Sequence, residues 1–233
     1  MIGIEFNGKH SYKDLGLTIT PDRIIGRPSK EKKKRKPTYS NTEHDFSRLY
    51  GSETYRNRLL TYSFNVLEKS KVNLSYKMIE VVDWLMNSDG RKPLIDEGIP
   101  GYYFMAEVEN ETDIDENWTD GIITVSFVAY PFMRKEKPEG SPYWDDYTIL
   151  DIYQETSFDI SGSKTITLVN NGSATVRPEI TASSQMSITK GQRTFMAPEG
   201  TSESYQLTLA TGETTLTVEG NGSISFEWHK EVL

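Results

Sequence analysis

In Arg58-Leu59-Leu60-Thr61-Tyr62-Ser63-Phe64-Asn65-Val66-Leu67, large apolar and smaller polar residues alternate. Leu60, Tyr62, Phe64 and Val66 fall on one side and Thr61, Ser63 and Asn65 on the other, the period of a half-buried strand. The period then changes. Leu74, Met78, Val81, Val82 and Leu85 recur at i, i+4, i+7, i+8 and i+11, which makes one helical stripe. Asn73 is placed to cap the first amides and Gly90 lies just past the end. The pattern predicts one helix of about 14 residues. Strand and helix adjoin and each has one apolar side in need of cover, so they are expected to pack together.

On the N-terminal side, Ile2 to Phe6 reads as a short strand ended by the turn Asn7-Gly8-Lys9, and Tyr12 to Ile19 as another broken by Gly16. On the C-terminal side come Tyr102 to Glu109, an acidic loop around Asp113 to Asp120, and the apolar strand Ile122 to Tyr130. Pro131 to Pro142 holds three prolines, a glycine and several charges, and reads as a linker. Beyond it, Thr165–Val169, Val176–Ile180, Met186–Thr189, Tyr205–Leu209, Thr214–Val218 and Ile224–Trp228 alternate with Gly/Asn/Ser turns, Gly220-Asn221-Gly222 among them. Short strands with no helical period between them indicate an antiparallel sandwich. The expected architecture is mostly β in two domains, 1–137 and 138–233.

The 233 residues suffice for two ordinary domains. There is no cysteine, which removes disulfides, thiolate metal sites and thiol nucleophiles. No basic leader or long apolar window is visible, so a soluble chain made in the cytoplasm is expected, with no membrane contact. The net charge of −8 is uneven: residues 145–233 carry 5 Lys/Arg against 12 Asp/Glu. An acidic second half argues against nucleic-acid binding through a basic surface there.

A search for chemistry returns no catalytic constellation. His10, His44 and His229 are isolated, without the paired spacing of metal ligands. Asp113, Asp115 and Asn117 fit the first ligand positions of a calcium loop, but Trp118 stands where the turn needs glycine and Thr124 where a bidentate glutamate belongs. No Gly-x-Ser-x-Gly elbow and no phosphate loop is present. A non-enzymatic protein without cofactor is expected. Trp118, Trp144 and Trp228 are read as core or interface residues, with sugar stacking as the rival.

One segment cannot bury itself. In Lys30-Glu31-Lys32-Lys33-Lys34-Arg35-Lys36, six of seven residues are basic, and Pro28 and Pro37 flank the run. Three readings stand: a solvated loop, a hairpin meeting an acidic protein surface, or a nucleic-acid contact. The absence of interleaved aromatics weighs against the last. Lys30, Lys32, Lys33, Lys34, Arg35 and Lys36 are the candidate interface residues.

In order along nearly the whole chain, Ile4-Glu5-Phe6-Asn7-Gly8-Lys9-His10-Ser11 with Asp14-Leu15-Gly16-Leu17, Tyr62-Ser63-Phe64, Ile79-Glu80-Val81-Val82-Asp83-Trp84-Leu85, Ile99-Pro100-Gly101-Tyr102-Tyr103-Phe104-Met105-Ala106, and Val125-Ser126-Phe127 with Tyr130-Pro131-Phe132 resemble the distal tail proteins of phages with long, non-contractile tails. Leu168-Val169-Asn170-Asn171-Gly172-Ser173, Arg177-Pro178-Glu179-Ile180 and Gly212-Glu213-Thr214-Thr215-Leu216-Thr217-Val218 are similar to the second half of that family. The resemblance implies an N-terminal, β-sandwich-like ring domain with one helix and a protruding hairpin, and a C-terminal galectin-like sandwich. It implies a hexameric ring at the virion tail tip, joining the tail tube protein to tip and receptor-binding proteins, with nucleic acid only passing through the channel. Thr18 to Tyr39 would be the hairpin that embraces the next subunit, with Lys30 to Lys36 at or near its tip. A carbohydrate-binding adhesion module is the alternative, although the His/Asn/Arg cluster of a galectin sugar site is absent.

Overall fold

The computed structural model describes every residue except Met1, Tyr50, Ser52, 110–112, 117–119, Pro142 and 144–148. The strands of the first half are β1 (Ile4–Phe6), β2 (Lys9–His10), β3 (Thr18–Ile19), β4 (Ile24–Ile25), β5 (Lys34–Arg35), β6 (His44–Asp45) and β7 (Arg58–Leu67). Helix α1 (Lys71–Met86) follows, then β8 (Lys92–Asp96), β9 (Tyr102–Val108), β10 (Asp113–Glu116), β11 (Asp120–Ala129) and β12 (Met133–Lys135). The second half holds β13 (Ser157–Asn170), β14 (Glu179–Ala182), β15 (Met186–Lys190), β16 (Arg193–Ala197), β17 (Gly200–Glu203), β18 (Gly212–Glu227) and β19 (Glu231–Val232). The protein is mostly β with one helix. It divides into two compact units, residues 1–133 with Leu233, and residues 134–232.

In the first unit the sheet runs β2-β1-β8-β9-β11-β7-β3, with β10 on β11 and β4 on β7. Asn7 (φ 47°) and Gly8 (φ 74°) make the two-residue turn between β1 and β2, the primed geometry that suits a twisted hairpin. Leu60, Tyr62, Phe64 and Val66 are buried in one core with Leu74, Met78, Val81, Trp84 and Leu85 of α1. Trp84 meets Phe6 and Phe64 edge to face and donates its indole N–H to the Phe6 carbonyl at 2.6 Å. Asp96 is fully buried at the other end of this core, held by Arg23 at 2.6 Å, the Tyr62 hydroxyl at 3.0 Å and the Gly98 amide.

The helix differs from expectation at both ends. Ser70, not Asn73, is the N-cap, its hydroxyl accepting from the Asn73 amide, and the helix closes at Asn87 rather than at Gly90. On the buried face Trp84 takes the place expected of Val82, which is half-exposed. β8 carries Pro93 and few apolar residues, so its short run gives no clear alternation. The stretch read as an acidic loop holds the strand β10, paired to β11 through Asp113↔Thr124 and Asp115↔Ile122.

In the second unit β18 is central. β13 pairs with it from Ser157↔Ser225 to Asn170↔Gly212. Its other edge pairs first with β15, through Ser187↔Glu219, and then with β14, through Thr181↔Ser225. The change of partner falls at Gly220-Asn221-Gly222, which is therefore the interior of one long strand and not a turn between two. A Cβ on Gly220 would stand 2.7 Å from Met186 Cγ and one on Gly222 2.3 Å from Ser183 Oγ, so glycine is required where the strand bends past its neighbours. Residues 205–209, expected as a strand, contribute only the bridge between Val176 and Leu209. The six-stranded sheet curls around a core of Leu168, Ile180, Ile188, Leu216, Val218, Ile224, Phe226 and Trp228.

The expected linker is largely structured. Lys135 and Lys230 are buried and share the fully buried carboxylate of Asp151; Lys135 Nζ lies 3.0 Å from it and also reaches Glu139 at 3.5 Å. Buried charges persist only when paired in this way. The Lys135 amide donates to the Lys230 carbonyl, pinning this stretch to the chain before β19.

Candidate assembly interface

Between β4 and β7 the chain leaves the sheet as a two-stranded arm spanning residues 27–57. Arg56 donates to the Ser29 carbonyl, Glu31 to Thr54, and Phe46 to Lys33. β5 and β6 pair through Lys34↔Asp45 and Arg35↔His44. Lower down, Lys30 bridges Tyr55, so four residues on the outgoing strand answer ten on the returning one. The extra length therefore lies on the returning strand, between Asp45 and Tyr55. No described residue from 27 to 57 is buried, and Tyr39 at the tip is fully exposed with φ 61°. The arm is thus residues 27–57 rather than 18–39, with its tip at 37–43 and the end of the basic run next to it. Residues 18–25 instead add the short strands β3 and β4 to β7.

Strand alternation sorts the basic run into two faces. Lys30 meets Glu53 at 2.5 Å, Lys32 meets Glu53 at 2.9 Å and Asp45 at 3.5 Å, and Lys34 meets Glu43 at 3.0 Å. Arg48 adds a fourth cation, 3.2 Å from Glu53. Hydrogen bonds from Lys30 and then Lys32 lower the Glu53 carboxyl to about 2. Asp45 is lowered to about 2 chiefly by its hydrogen bonds from Ser47. Among the described residues, no acidic group meets Lys33 or Arg35 on the other face, nor Lys36 just beyond the end of β5. One face of the run is thus neutralised by the arm itself. Glu43, Asp45 and Glu53 are the residues that sequence reading misses, although their return 9 to 23 positions later is a usable signal.

A second uncovered surface lies on α1. Val72, Tyr76, Ile79 and Met86 recur along its outer face and are all exposed. With Ile114 of β10, also exposed, they flank a groove of about 590 Å³ lined by Ser75, Met78, Ile79, Val82, Asp83, Met86 and Ile114. Asp83 stands exposed in its lining, while Asp113 and Asp115 alternate with Ile114 onto the opposite face of β10. Apolar surface arranged in this way on a helix marks a binding surface more often than a solvated one.

The other sequence candidates do not gather into a site. His10 is buried, its Nδ1 accepting from the Tyr12 and Lys13 amides and its Nε2 donating to Glu97 at 3.0 Å. His44 lies exposed on the arm, and His229 meets the Lys135 carbonyl. Among the described residues no three His, Cys, Asp or Glu side chains gather as metal ligands. Trp228 is buried in the core and offers no stacking face; Trp118 and Trp144 lie outside the described residues, as does Asn117 of the calcium-loop comparison. No helix among the described residues is long and apolar enough to cross a membrane.

No protein-family model matches this sequence, and no curated protein is similar to it at a significant level. The fold is similar to the crystal structure of the SPP1 Dit (gp 19.1) protein, described as a paradigm of the hub adsorption apparatus of phages that infect Gram-positive bacteria. The likeness covers 98% of this chain and 99% of that one, with a TM-score of 0.67 and 14% identity. At that identity it establishes a shared fold across both units.

Proposed function

We propose that this chain is a distal tail protein, the structural hub of a siphophage tail tip, and not an enzyme. Identical copies close into a hexameric ring that joins the tail tube to the tip and receptor-binding proteins. The observation that carries the reading is the arm: some thirty residues without one buried side chain among those described, standing out from a well-packed sheet. An isolated two-stranded hairpin is marginal in water, so contact with another chain is what would hold it. The unpaired Lys33, Arg35 and Lys36 and the exposed Tyr39, Phe46 and Leu49 form one half of an interface. The apolar outer face of α1, with Asp83 in its groove, offers complementary chemistry to the exposed apolar residues of the arm and one acidic group for its cations. An arm received by a different face of the next copy would be a head-to-tail contact, which gives a ring when its rotation closes. The full-length likeness to a hub protein supports the same reading. It implies two domains, a location in the virion tail after assembly in the host cytoplasm, and nucleic acid only as it passes through the channel. Light scattering of the purified chain tests it: a mass near six times 26.6 kDa is expected, and a monomer at all concentrations contradicts it.

A further inference from the structure

Arg58 is 4% exposed, yet among the described residues no hydrogen bond or ion pair reaches its guanidinium. Its Nε is enclosed without a partner, its Cζ lies 5.4 Å from the centre of the Phe104 ring, and burial lowers its basicity. A buried cation of this kind is costly unless an anion joins it. The side chain lines a pocket of about 560 Å³ at the root of the arm, where Arg27 and Pro28 leave the sheet. Ile25, Ile99, Met133 and Leu233 supply apolar walls, and Arg27, exposed and likewise without a partner among the described residues, is the second cation.

The root is built closely. Gly26 donates its amide to the Leu59 carbonyl at 2.9 Å, and a Cβ at position 26 would stand 2.3 Å from that oxygen. The backbone beside Arg58 is therefore held against Gly26, where only glycine fits.

We propose that this pocket is a binding site for a carboxylate carried on a short apolar chain. The guanidinium fork takes a planar carboxylate in two parallel hydrogen bonds, and the apolar walls take the methylenes behind it. A doubly charged phosphate fits these walls less well, since much of its hydration would be lost against carbon. Because the arm begins and ends at this pocket, an occupant would also fix the arm's direction.

The inference predicts an unusual pair of effects. In the free protein, Arg58→Met removes an unpaired buried charge at similar volume, so the melting temperature should rise, by about 2–4 °C. In the parent, sodium hexanoate should raise the melting temperature above sodium chloride of equal ionic strength, hexanol and phosphate should not, and Arg58→Met should abolish the hexanoate effect. Arg58→Lys, which keeps the charge without the fork, should retain only part of it. The ring mass of Arg58→Met identifies the source. A smaller mass makes the carboxylate a side chain of the neighbouring copy; an unchanged mass makes it part of another molecule. A fall in melting temperature on Arg58→Met, or no hexanoate effect beyond chloride, overturns the proposal. Neither result depends on whether the chain forms a ring.

Discussion

Lys32 and Glu53 meet across the arm, Nζ to Oε1 at 2.9 Å, although 21 positions separate them in the chain. The contact makes the arm a self-neutralised ribbon on one face and a cationic one on the other. It also fixes what acid should do. The Glu53 carboxyl is held at about 2 against its ordinary 4.5, so its folded value is depressed. Its contribution to arm order is present above about pH 4.5 and lost as the pH falls toward 2. Carbon-detected titration of Glu53 should give a midpoint near 2, rising toward 4.5 when Lys30 and Lys32 are both changed to Gln. A midpoint of 4.5 in the parent would show that the pairs do not form in solution.

The two faces of α1 should respond oppositely. Leu85 is fully buried, so Leu85→Ala should cost roughly 2–5 kcal/mol in denaturant unfolding. Ile79 is 66% exposed, so Ile79→Asp should change monomer stability by less than about 0.5 kcal/mol. The same change should lower the mass of the assembly. An Ile79→Asp variant that assembles like the parent would remove the outer face from the interface.

Much of the first unit is legible in the amino-acid sequence. The alternation of Leu60 to Val66 and the 3.6-residue period from Leu74 mark its core because each element buries one side only. Trp84 escapes the pattern because its neighbours Val82 and Asp83 disturb the stripe, and Ser70 because a cap three residues upstream competes with Asn73 on equal chemical terms. In the second unit, Gly220-Asn221-Gly222 has the composition of a turn. Only the close passage of Met186 and Ser183 shows why glycine sits inside a strand. The arm is legible as an exposed basic run, but its internal pairing depends on an unequal register between its two strands that no local pattern announces. Arg58 carries no signal at all: a charge at the start of a strand looks ordinary until its surroundings are known.

Gly220 supplies a check on the bent strand. It has φ +152°, and a methyl there would press on Met186. Gly220→Ala should destabilise the protein by about 1–3 kcal/mol. Unfolding midpoints within error of the parent would place the bend elsewhere.

The second unit should fold by itself, and its buried ion cluster should raise its stability. A fragment of residues 134–232 retains Lys135 with Asp151 and Lys230, whereas one beginning at Asp145 leaves the other two without Lys135. The longer fragment should give a cooperative β-type circular dichroism melt, and the shorter one should melt lower. Equal melts would mean the cluster contributes nothing to the fold.

The central claim is that the arm holds neighbouring copies together. Glu31 and Thr54 are hydrogen-bonded across its base, so residues 32–53 can be replaced by an Asn-Gly turn without opening the sheet below. Light scattering of this variant beside the parent, at equal concentration, is the direct measurement. The account predicts a hexamer for the parent and a folded monomer for the variant. A variant that forms the same ring as the parent would contradict it.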